Sequence, residues 1–374
     1  MNQNEEKYIG VIEQTEEQKE QNYAFAEIVA EAEPVIWKEK QKPNGINYIF
    51  GDKFWRKFDV RNQSSSGSCV AQSMAKLMGI LAYLRWGIFI VFSAGHIYLR
   101  RINKNWASGN MGMIATDVYS IAQKGVTLEE FMAGQNLGES GMNALYENDL
   151  HKAVNLKIGN YIVLPVGDIE AVASVIQKTK KGVMTWLRFW NNEWTAVPVV
   201  IAPNPDSHHS MATVDFTLYE KEKSLVNDES WGNTYGFEGQ RVIKESFYRA
   251  RNTHASYPMD FKFDFDAVPM PDKKSFSNPL VFIEIDSNTQ VVKPQFAAIH
   301  AEQKADVVRL QDALKKEGVL PSNIASTGLY QNLTAKAVKA FQIKHSVASM
   351  AEINSLGGKR VGEKTLAKLN QIYG

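Results

Sequence analysis

The spacing of hydrophobic and polar positions changes part-way along the chain. In the first half, apolar residues recur at helical intervals, which predicts buried or amphipathic helices. In the second half, short apolar runs and alternating positions predict strands. The predicted helices cover residues 70–84, 94–102 and 114–124, and the predicted strands cover 182–187, 210–218, 223–226 and 241–243. Because the helices come first and the strands follow, we expect an α+β fold rather than a parallel α/β sheet.

Changes in composition divide the chain into four expected regions. A Glu- and Gln-rich stretch near the start predicts an exposed helix at 13–33. Aromatic residues become frequent after residue 46, and polar residues with a proline interrupt the pattern near residue 290. The expected regions are an N-terminal leader at 1–45, a main domain at 46–285, a linker at 286–303 and a small all-α module at 304–374.

One apolar stretch, residues 77–99, is long enough to be tested as a membrane span. It contains Arg85 near its middle and several glycines. A charge at the centre of a spanning helix costs about 2.5–3.5 kcal/mol on insertion scales. We therefore expect a buried helix that turns and continues, and no membrane span.

Composition and charge narrow the possible partners. The 374 residues include 42 Lys+Arg and 41 Asp+Glu, which leaves a formal net charge of +1. This near-neutral balance argues against nucleic acid as a partner. The first residues are polar and acidic, so no secretory signal peptide is expected. Cys69 is the one cysteine of the sequence, so no disulfide within this chain is possible.

The stretch that leads to Cys69 carries the strongest chemical signal. Small residues at 64–68 run into the cysteine, and a predicted apolar helix starts there. Unpaired N–H groups and the helix dipole favour a thiolate at such a position. Gln63 would supply a side-chain donor that, with the N–H of Cys69, holds a developing oxyanion. From these residues alone, an inert thiol in the core is the alternative.

This stretch resembles the nucleophile loop of the papain-like cysteine peptidases, Gln-x-x-x-Gly-Ser-Cys-Trp. The resemblance implies a papain-like two-lobe fold, with a helical lobe and a β-barrel-like lobe, and a nucleophilic cysteine. Ser66 stands where the family usually has a second cysteine, and Val70 replaces the tryptophan. The matching residues are Gln63, Gly67, Ser68 and Cys69.

A general-base histidine is expected well downstream of the nucleophile. In papain-like enzymes it lies roughly 130–150 residues after the cysteine. His209 lies 140 residues after Cys69 and opens a segment that resembles the family's His-Ala-Val strand entry. This register selects His209 over His208. The alternatives for this pair are a surface location or a metal site, but no further His or Cys stands at ligand spacing, so we expect no metal and no cofactor.

Residues 226–239 resemble the family's Asn-Ser-Trp-Gly-x-x-Trp-Gly-x-x-Gly segment. The resemblance implies that Trp231 shields the hydrogen bond that orients His209. Glu229 occupies the asparagine position, and a carboxylate stabilises an imidazolium more than an amide does. Asn227 is the alternative orienting residue if the loop shifts by two positions. The residues that align without gaps are Ser230, Trp231, Gly232, Gly236 and Gly239.

A looser resemblance concerns substrate binding. Residues 109–112 resemble the glycine strip that pairs with an extended substrate backbone in β-fashion. Met111 interrupts the usual pattern. On this basis Gly112 is the expected substrate-binding residue.

Residues 304–374 resemble the three-helix peptidoglycan-binding domain of many cell-wall hydrolases. Three helices are predicted, at 306–316, from Thr334 as N-cap, and from near Glu363. Apolar residues at helical spacing are expected to form the core rather than to contact a ligand. The resemblance implies peptidoglycan as a partner of this region. The residues that carry it include Leu310, Gln311, Leu314, Gly328, Ala337, Val338, Phe341 and Gln342.

Together these resemblances imply a papain-like thiol peptidase held at a cell wall by its C-terminal module. Its substrate would be a protein or peptide. The protein is expected to act at a wall or in a virion or other extracellular particle, and otherwise in the cytoplasm. Two alternatives remain: a structural or adhesion protein that keeps the scaffold without catalysis, and a cell-wall amidase or transpeptidase. The expected catalytic residues are Cys69, His209, Glu229 and Gln63.

Overall fold

The computed structural model describes most of the chain. The predicted helix at 13–33 lies outside the described residues. The described residues are 11–12, 34–40, 60–106, 111–114, 117–148, 151–152, 156–262, 275–284 and 292–374.

Helices dominate the first part of the described chain and its C-terminal part. They are α1 (Cys69–Trp86), α2 (Ala94–Leu99), α3 (Asp117–Lys124), α4 (Glu139–Asn143), α5 (Ile169–Thr179), α6 (Glu245–Arg251), α7 (Ala297–Lys316), α8 (Asn332–Lys344), α9 (Met350–Leu356) and α10 (Glu363–Tyr373).

Strands dominate the middle of the chain. They are β1 (Val11–Ile12), β2 (Met113–Ile114), β3 (Lys157–Ile158), β4 (Tyr161–Leu164), β5 (Val183–Phe189), β6 (Ser207–Tyr219), β7 (Glu222–Asp228), β8 (Gln240–Lys244), β9 (Asn252–Pro258), β10 (Phe261–Lys262), β11 (Leu280–Val281) and β12 (Arg360–Val361).

A six-stranded sheet is the centre of the main unit. Its strand order is β4-β9-β5-β6-β7-β8, and each neighbouring pair is antiparallel. The four strands predicted from the apolar runs correspond to β5, β6, β7 and β8. The prediction of an α+β fold is therefore confirmed.

Helix α1 is mostly apolar and is buried on all sides over most of its length, as expected of a helix in a protein core. Every residue from 69 to 82 is buried. Gly87, with φ of +67°, follows its last turn, and the left-handed conformation ends the helix. After a short extended stretch, the side chain of Ser93 caps α2 by accepting the N–H of His96 at 2.9 Å. The stretch 77–99 thus turns and continues, as predicted. None of the described helices is both long and apolar enough to cross a membrane.

The sheet has helices packed against it, which explains why its central strands are buried. Helices α5 and α6 contact β5, and α1 lies against β6 and β7. The hydroxyl of Ser210 on β6 donates to the hydroxyl of Ser73 on α1 at 3.1 Å. Lys76, one turn further along α1, pairs with Asp228 at the end of β7 at 2.8 Å. These contacts set the start of α1 beside the start of β6.

The N-terminal residues that the structure describes add short strand contacts. Val11 and Ile12 pair in parallel with Met113 and Ile114. The carbonyl of Lys38 accepts the backbone N–H of a residue near the end of β6, at 2.9 Å. These upstream residues therefore belong to the packed structure of the main unit.

The C-terminal helices belong to the second of two compact units, which also includes Ala82–Ile90. Strands β11 and β12 pair antiparallel beside helices α7 to α10. The three predicted helices are present, and α9 is an additional short helix. Helix α7 begins at Ala297 rather than residue 306. The expected core residues Ala337, Val338 and Phe341 are fully buried.

The N-cap prediction in this region was wrong. The N-cap position of α8 is Gln331, and Thr334 lies inside the first turn. The hydroxyl of Thr334 is buried, where it donates to the carbonyl of Leu329 at 3.2 Å and accepts from Gln311 at 3.0 Å. Its role is to join α8 to α7. The domain boundaries expected from the sequence stay predictions.

Candidate active site

Cys69 is the first residue of α1, and a tightly bonded loop leads to it. The thiol is fully buried. The hydroxyls of Ser66 and Ser68 share a hydrogen bond of 2.7 Å, and the N–H of Ser66 donates to the carbonyl of Gln63 at 3.1 Å. A Cβ on Gly67 would lie 2.5 Å from the backbone nitrogen of Gly112, so only glycine permits this approach. The loop thus holds the cysteine at the helix N-terminus.

His209 lies near the start of β6, opposite Leu187 of β5. Its Nε2 is 2.9 Å from Oε2 of Glu229, and both side chains are fully buried. Because Nε2 is engaged by the carboxylate, Nδ1 is the ring nitrogen left for the thiol of Cys69. The structure therefore brings together Cys69, His209 and Glu229, which are expected to serve as nucleophile, general base and orienting group. It selects Glu229, rather than Asn227, as the neighbour of the imidazole.

Burial and neighbouring charges shift the pKa values of His209 and Glu229. Burial lowers the pKa of His209, but the charge of Glu229, its hydrogen bond to the ring and the proximity of Cys69 outweigh it and raise the pKa to about 9. Burial raises the pKa of Glu229, but the charges of His209 and Arg241 outweigh it and lower the pKa to about 2. At neutral pH the pair is therefore an imidazolium beside a carboxylate.

Trp231 lies against the ring of His209, and its role as a shield of the orienting hydrogen bond stays a prediction. Its ring centroid lies 4.8 Å from that of His209, at an interplanar angle of 37°. Asn227 is buried on β7, where its side-chain nitrogen lies 3.8 Å from the sulfur of Met211. Its location fits a core residue of the strand rather than an orienting group.

Gln63 is fixed by the loop that carries Glu229. Its side-chain oxygen accepts the hydroxyl of Ser230 at 2.6 Å, and its backbone N–H donates to the carbonyl of Ser230 at 2.7 Å. The side-chain nitrogen then faces the nucleophile loop and donates to the carbonyl of Ser66 at 2.7 Å. The amide is thus oriented with its donor end toward the loop of Cys69, and its part in an oxyanion hole stays a prediction.

Gly112 lies beside the nucleophile loop in a polar network. Its N–H donates to the hydroxyl of Tyr98 at 2.9 Å, and that hydroxyl donates to Glu139. Glu139 also accepts the backbone N–H of Gly67 at 3.0 Å. Tyr98 and Glu139 therefore join the nucleophile loop to the strip of Gly112. Because this network uses the N–H of Gly112, its role in substrate binding stays a prediction.

Sequence reasoning missed two residues of the site, Trp194 and Arg241. The indole N–H of Trp194 donates to Oε1 of Glu229 at 2.9 Å, and Nε of Arg241 donates to the same oxygen. The presence of glutamate at the asparagine position was the available signal, because a buried carboxylate requires donors or a cation. The spacing of the motif gave no indication of which residues supply them.

No set of three potential metal-ligating His, Cys, Asp or Glu side chains is grouped in the part of the chain that the structure describes. A buried ion pair joins α1 to the end of β7. Lys76 and Asp228 lie 2.8 Å apart, and both are buried.

Because the pKa of His209 is raised in the folded chain, we expect the free energy of unfolding to depend on pH. A histidine with a higher pKa in the folded chain stabilises it below about pH 6.5, and this contribution disappears as the pH rises through about 9. We expect the free energy of unfolding to fall by up to about 3 kcal/mol over this interval. Urea unfolding at several pH values measures it. The His209→Gln variant should lack this component, and an identical pH dependence in both proteins would contradict the assignment.

The C-terminal region has a recognisable family. Residues 303–348 match the family described as "Putative peptidoglycan binding domain". This match confirms the resemblance expected for the C-terminal module. It covers α8 and most of α7, the two helices joined by Thr334 and Gln311.

Solved structures similar to this chain are cysteine proteases. Xylellain from Xylella fastidiosa is 14% identical, with 69% of this chain and 98% of that chain covered and a TM-score of 0.49. Digestive procathepsin L 3 from the larval midgut of Tenebrio molitor is 18% identical, with 59% and 75% covered and a TM-score of 0.46. Bromelain protease from Ananas comosus, solved with the inhibitor E64, is 16% identical, with 55% and 97% covered and a TM-score of 0.42.

No curated protein matches the chain. At the identities of these solved structures, similarity bears on the fold alone. The catalytic roles of Cys69, His209 and Glu229 therefore depend on the geometry of the site itself.

Proposed function

We propose that this chain is a thiol peptidase that acts on proteins or peptides of a cell wall. The observation that supports the proposal is the buried series Cys69, His209 and Glu229, with the thiol at a helix N-terminus and the carboxylate 2.9 Å from the imidazole. A nucleophile, a base and an orienting group in this order are the parts that acyl transfer requires.

In the proposed reaction, Sγ of Cys69 attacks the carbonyl carbon of a peptide bond. The oxygen becomes an oxyanion, which the N–H of Cys69 and the side-chain amide of Gln63 stabilise. His209 donates its proton to the departing amine, the C–N bond breaks, and a thioester remains. His209 then takes a proton from water, the hydroxide attacks the carbonyl carbon of the thioester, and the C–S bond breaks. The carboxylic acid product leaves, and Cys69 is again a thiolate beside the imidazolium of His209.

The C-terminal module supports a location at peptidoglycan. Its match to a peptidoglycan-binding family suggests that α7 to α10 bring the peptidase to its substrate. Wall-associated proteins and the cross-bridge peptides of the wall are the proposed substrates. If the acceptor of the thioester is an amine rather than water, the same residues perform a transpeptidation.

A protein that keeps the scaffold without catalysis is the second candidate. The hydrogen bond from the N–H of Gly112 to Tyr98 favours it, because that N–H would otherwise pair with a substrate. The two candidates differ in whether Cys69 is chemically activated.

Reaction of Cys69 with a thiol probe tests the proposal. A free thiol is only about 0.1% ionised near pH 5.5, so it reacts slowly with iodoacetamide there. We expect the wild-type chain to react more than about 100-fold faster than glutathione at this pH because the imidazolium of His209 favours the thiolate. Mass spectrometry of the labelled chain measures the rate, and Cys69→Ala is the control. Reaction no faster than that of glutathione would leave the scaffold candidate.

Binding to the wall is tested with purified sacculi. The full-length chain and a chain truncated after residue 285 are first alkylated at Cys69, which blocks digestion and shows that the truncated chain keeps its site. We expect the full-length protein to sediment with sacculi and the truncated protein to stay in the supernatant. Equal sedimentation of both proteins, or of neither, would remove the assigned role of the module.

A further inference from the structure

Glu229 is held by more donors than the orientation of one imidazole requires. Its Oε2 accepts from His209 at 2.9 Å and from the backbone N–H of Ser230 at 3.3 Å. Its Oε1 accepts from the indole of Trp194 at 2.9 Å and from Nε of Arg241. A carboxylate offers about four lone-pair positions, so these four donors use all of them. The carboxylate cannot rotate away from His209 without losing several of these bonds.

Arg241 is itself built into the site. Its Nη1 donates to the backbone carbonyls of Trp194, at 3.2 Å, and Thr195. Its guanidinium lies 4.8 Å from the ring centroid of Trp194 and 5.6 Å from that of Trp231. The residue is only 3% exposed. Arg241 thus connects the loop of Trp194, the indole of Trp231 and the carboxylate of Glu229.

In the reactive form that the proposed function requires, the charges of the site balance only when Arg241 is included. A thiolate, an imidazolium and a carboxylate together carry a net negative charge, and burial of an uncompensated charge is costly. The guanidinium of Arg241 brings the sum to zero. Two further charged pairs lie close to these residues in the fold: Lys76 pairs with Asp228 at 2.8 Å, and Glu139, which accepts the N–H of Gly67, pairs with Arg101 at 3.2 Å. A neutral amide in place of Glu229 would need no such cation.

We propose that Arg241 is a positioning residue that adapts the site to a glutamate, by fixing the Glu229 carboxylate toward His209 and balancing its charge. This inference rests on the proposed function, because it concerns the activation of the same thiol. Arg241 acts through Glu229, and the contacts described above join it to Glu229, to Trp231 and to the loop of Trp194.

The test measures the rate of Cys69 alkylation by iodoacetamide against pH in the full-length protein. In Arg241→Met, Glu229 loses a cation, so its carboxyl takes up a proton at a higher pH than in the wild type. The acid limb is the pH range in which the alkylation rate rises as Cys69 becomes reactive. We expect this limb to move to higher pH by about one unit in the variant, so that the rate at a given pH on the limb is about tenfold lower than in the wild type. Arg241→Lys keeps the positive charge, so its acid limb should lie close to that of the wild type.

A double variant separates charge balance from packing. Glu229→Gln alone leaves the guanidinium of Arg241 without its anion, and this also disfavours the imidazolium. Glu229→Gln combined with Arg241→Met removes both charges, so its limb should move less than the sum of the two single shifts. Additive shifts would contradict a role for Arg241 through Glu229.

Arg251 provides the matched control. It is also a buried arginine paired with a buried carboxylate, Glu193, at 3.0 Å, and it bonds the carbonyl of Ala202 on the same loop. Arg251→Met should lower the free energy of unfolding without moving the acid limb. An unmoved limb in Arg241→Met, or an equal shift in Arg251→Met, would overturn the inference alone. A wild-type profile like that of glutathione would overturn the proposed function and this inference together.

Discussion

Replacement of Cys69 by alanine is expected to reduce peptide hydrolysis by at least about 10³-fold, because no covalent intermediate can form without the thiol. The side chain is fully buried and makes no disulfide, so its loss should cost only about 1–2 kcal/mol of stability. Hydrolysis of a quenched-fluorescence peptide library by wild-type and variant chains measures the effect. Near-UV circular dichroism of both proteins shows whether the fold is kept.

Ser73→Ala is the control for this substitution. Ser73 lies on the same helix, is buried and contacts Ser210 on β6, but it lies outside the proposed reaction. We expect this variant to keep most of the activity. Hydrolysis that survives in Cys69→Ala would exclude the thiol as nucleophile, whatever the control shows.

Replacement of His209 by glutamine is expected to lower hydrolysis by about 10²- to 10⁴-fold, the range that a general acid–base contributes. The imidazolium that favours the thiolate is also lost. Alkylation of Cys69 at mildly acidic pH should therefore fall by about 100-fold, toward the rate of glutathione. The two measurements separate the base from the nucleophile, because alkylation requires no proton transfer to a leaving group.

His208 is the matched control for His209. It precedes His209 on β6 and lies opposite Arg188 of β5 in the strand register, and its side chain is half-buried. His208→Gln should keep both hydrolysis and alkylation. A loss in His208→Gln with retention in His209→Gln would show that the register chosen from the sequence is wrong by one residue.

Much of the candidate site could be predicted because its signals are local. The close approach of Gly67 to Gly112 requires a glycine, and the helix that starts at Cys69 is encoded by the apolar run that follows. His209 lies near the start of β6, a strand that the alternating sequence predicted. Such features depend on neighbours within a few positions, so a single sequence shows them.

The partners of Glu229 could not be predicted in this way. Trp194 is 35 residues before it, and Arg241 is 12 residues after it on β8, whereas Glu229 follows the end of β7. Antiparallel pairing of β7 with β8 places Arg241 opposite Asn227, two positions from Glu229. Neither spacing belongs to a helix or strand period, so no local pattern pointed to these residues.

The sequence by itself determined the elements, the location of the thiol at a helix N-terminus and the family of the C-terminal module. Hydrophobic periodicity and the conformational demands of glycine are short-range effects, which is why they can be read along one chain. Only the tertiary structure decided that Glu229, and not Asn227, meets His209, and that Arg241 balances its charge. Burial removes the water that would otherwise screen these charges, so their partners depend on how distant strands pack.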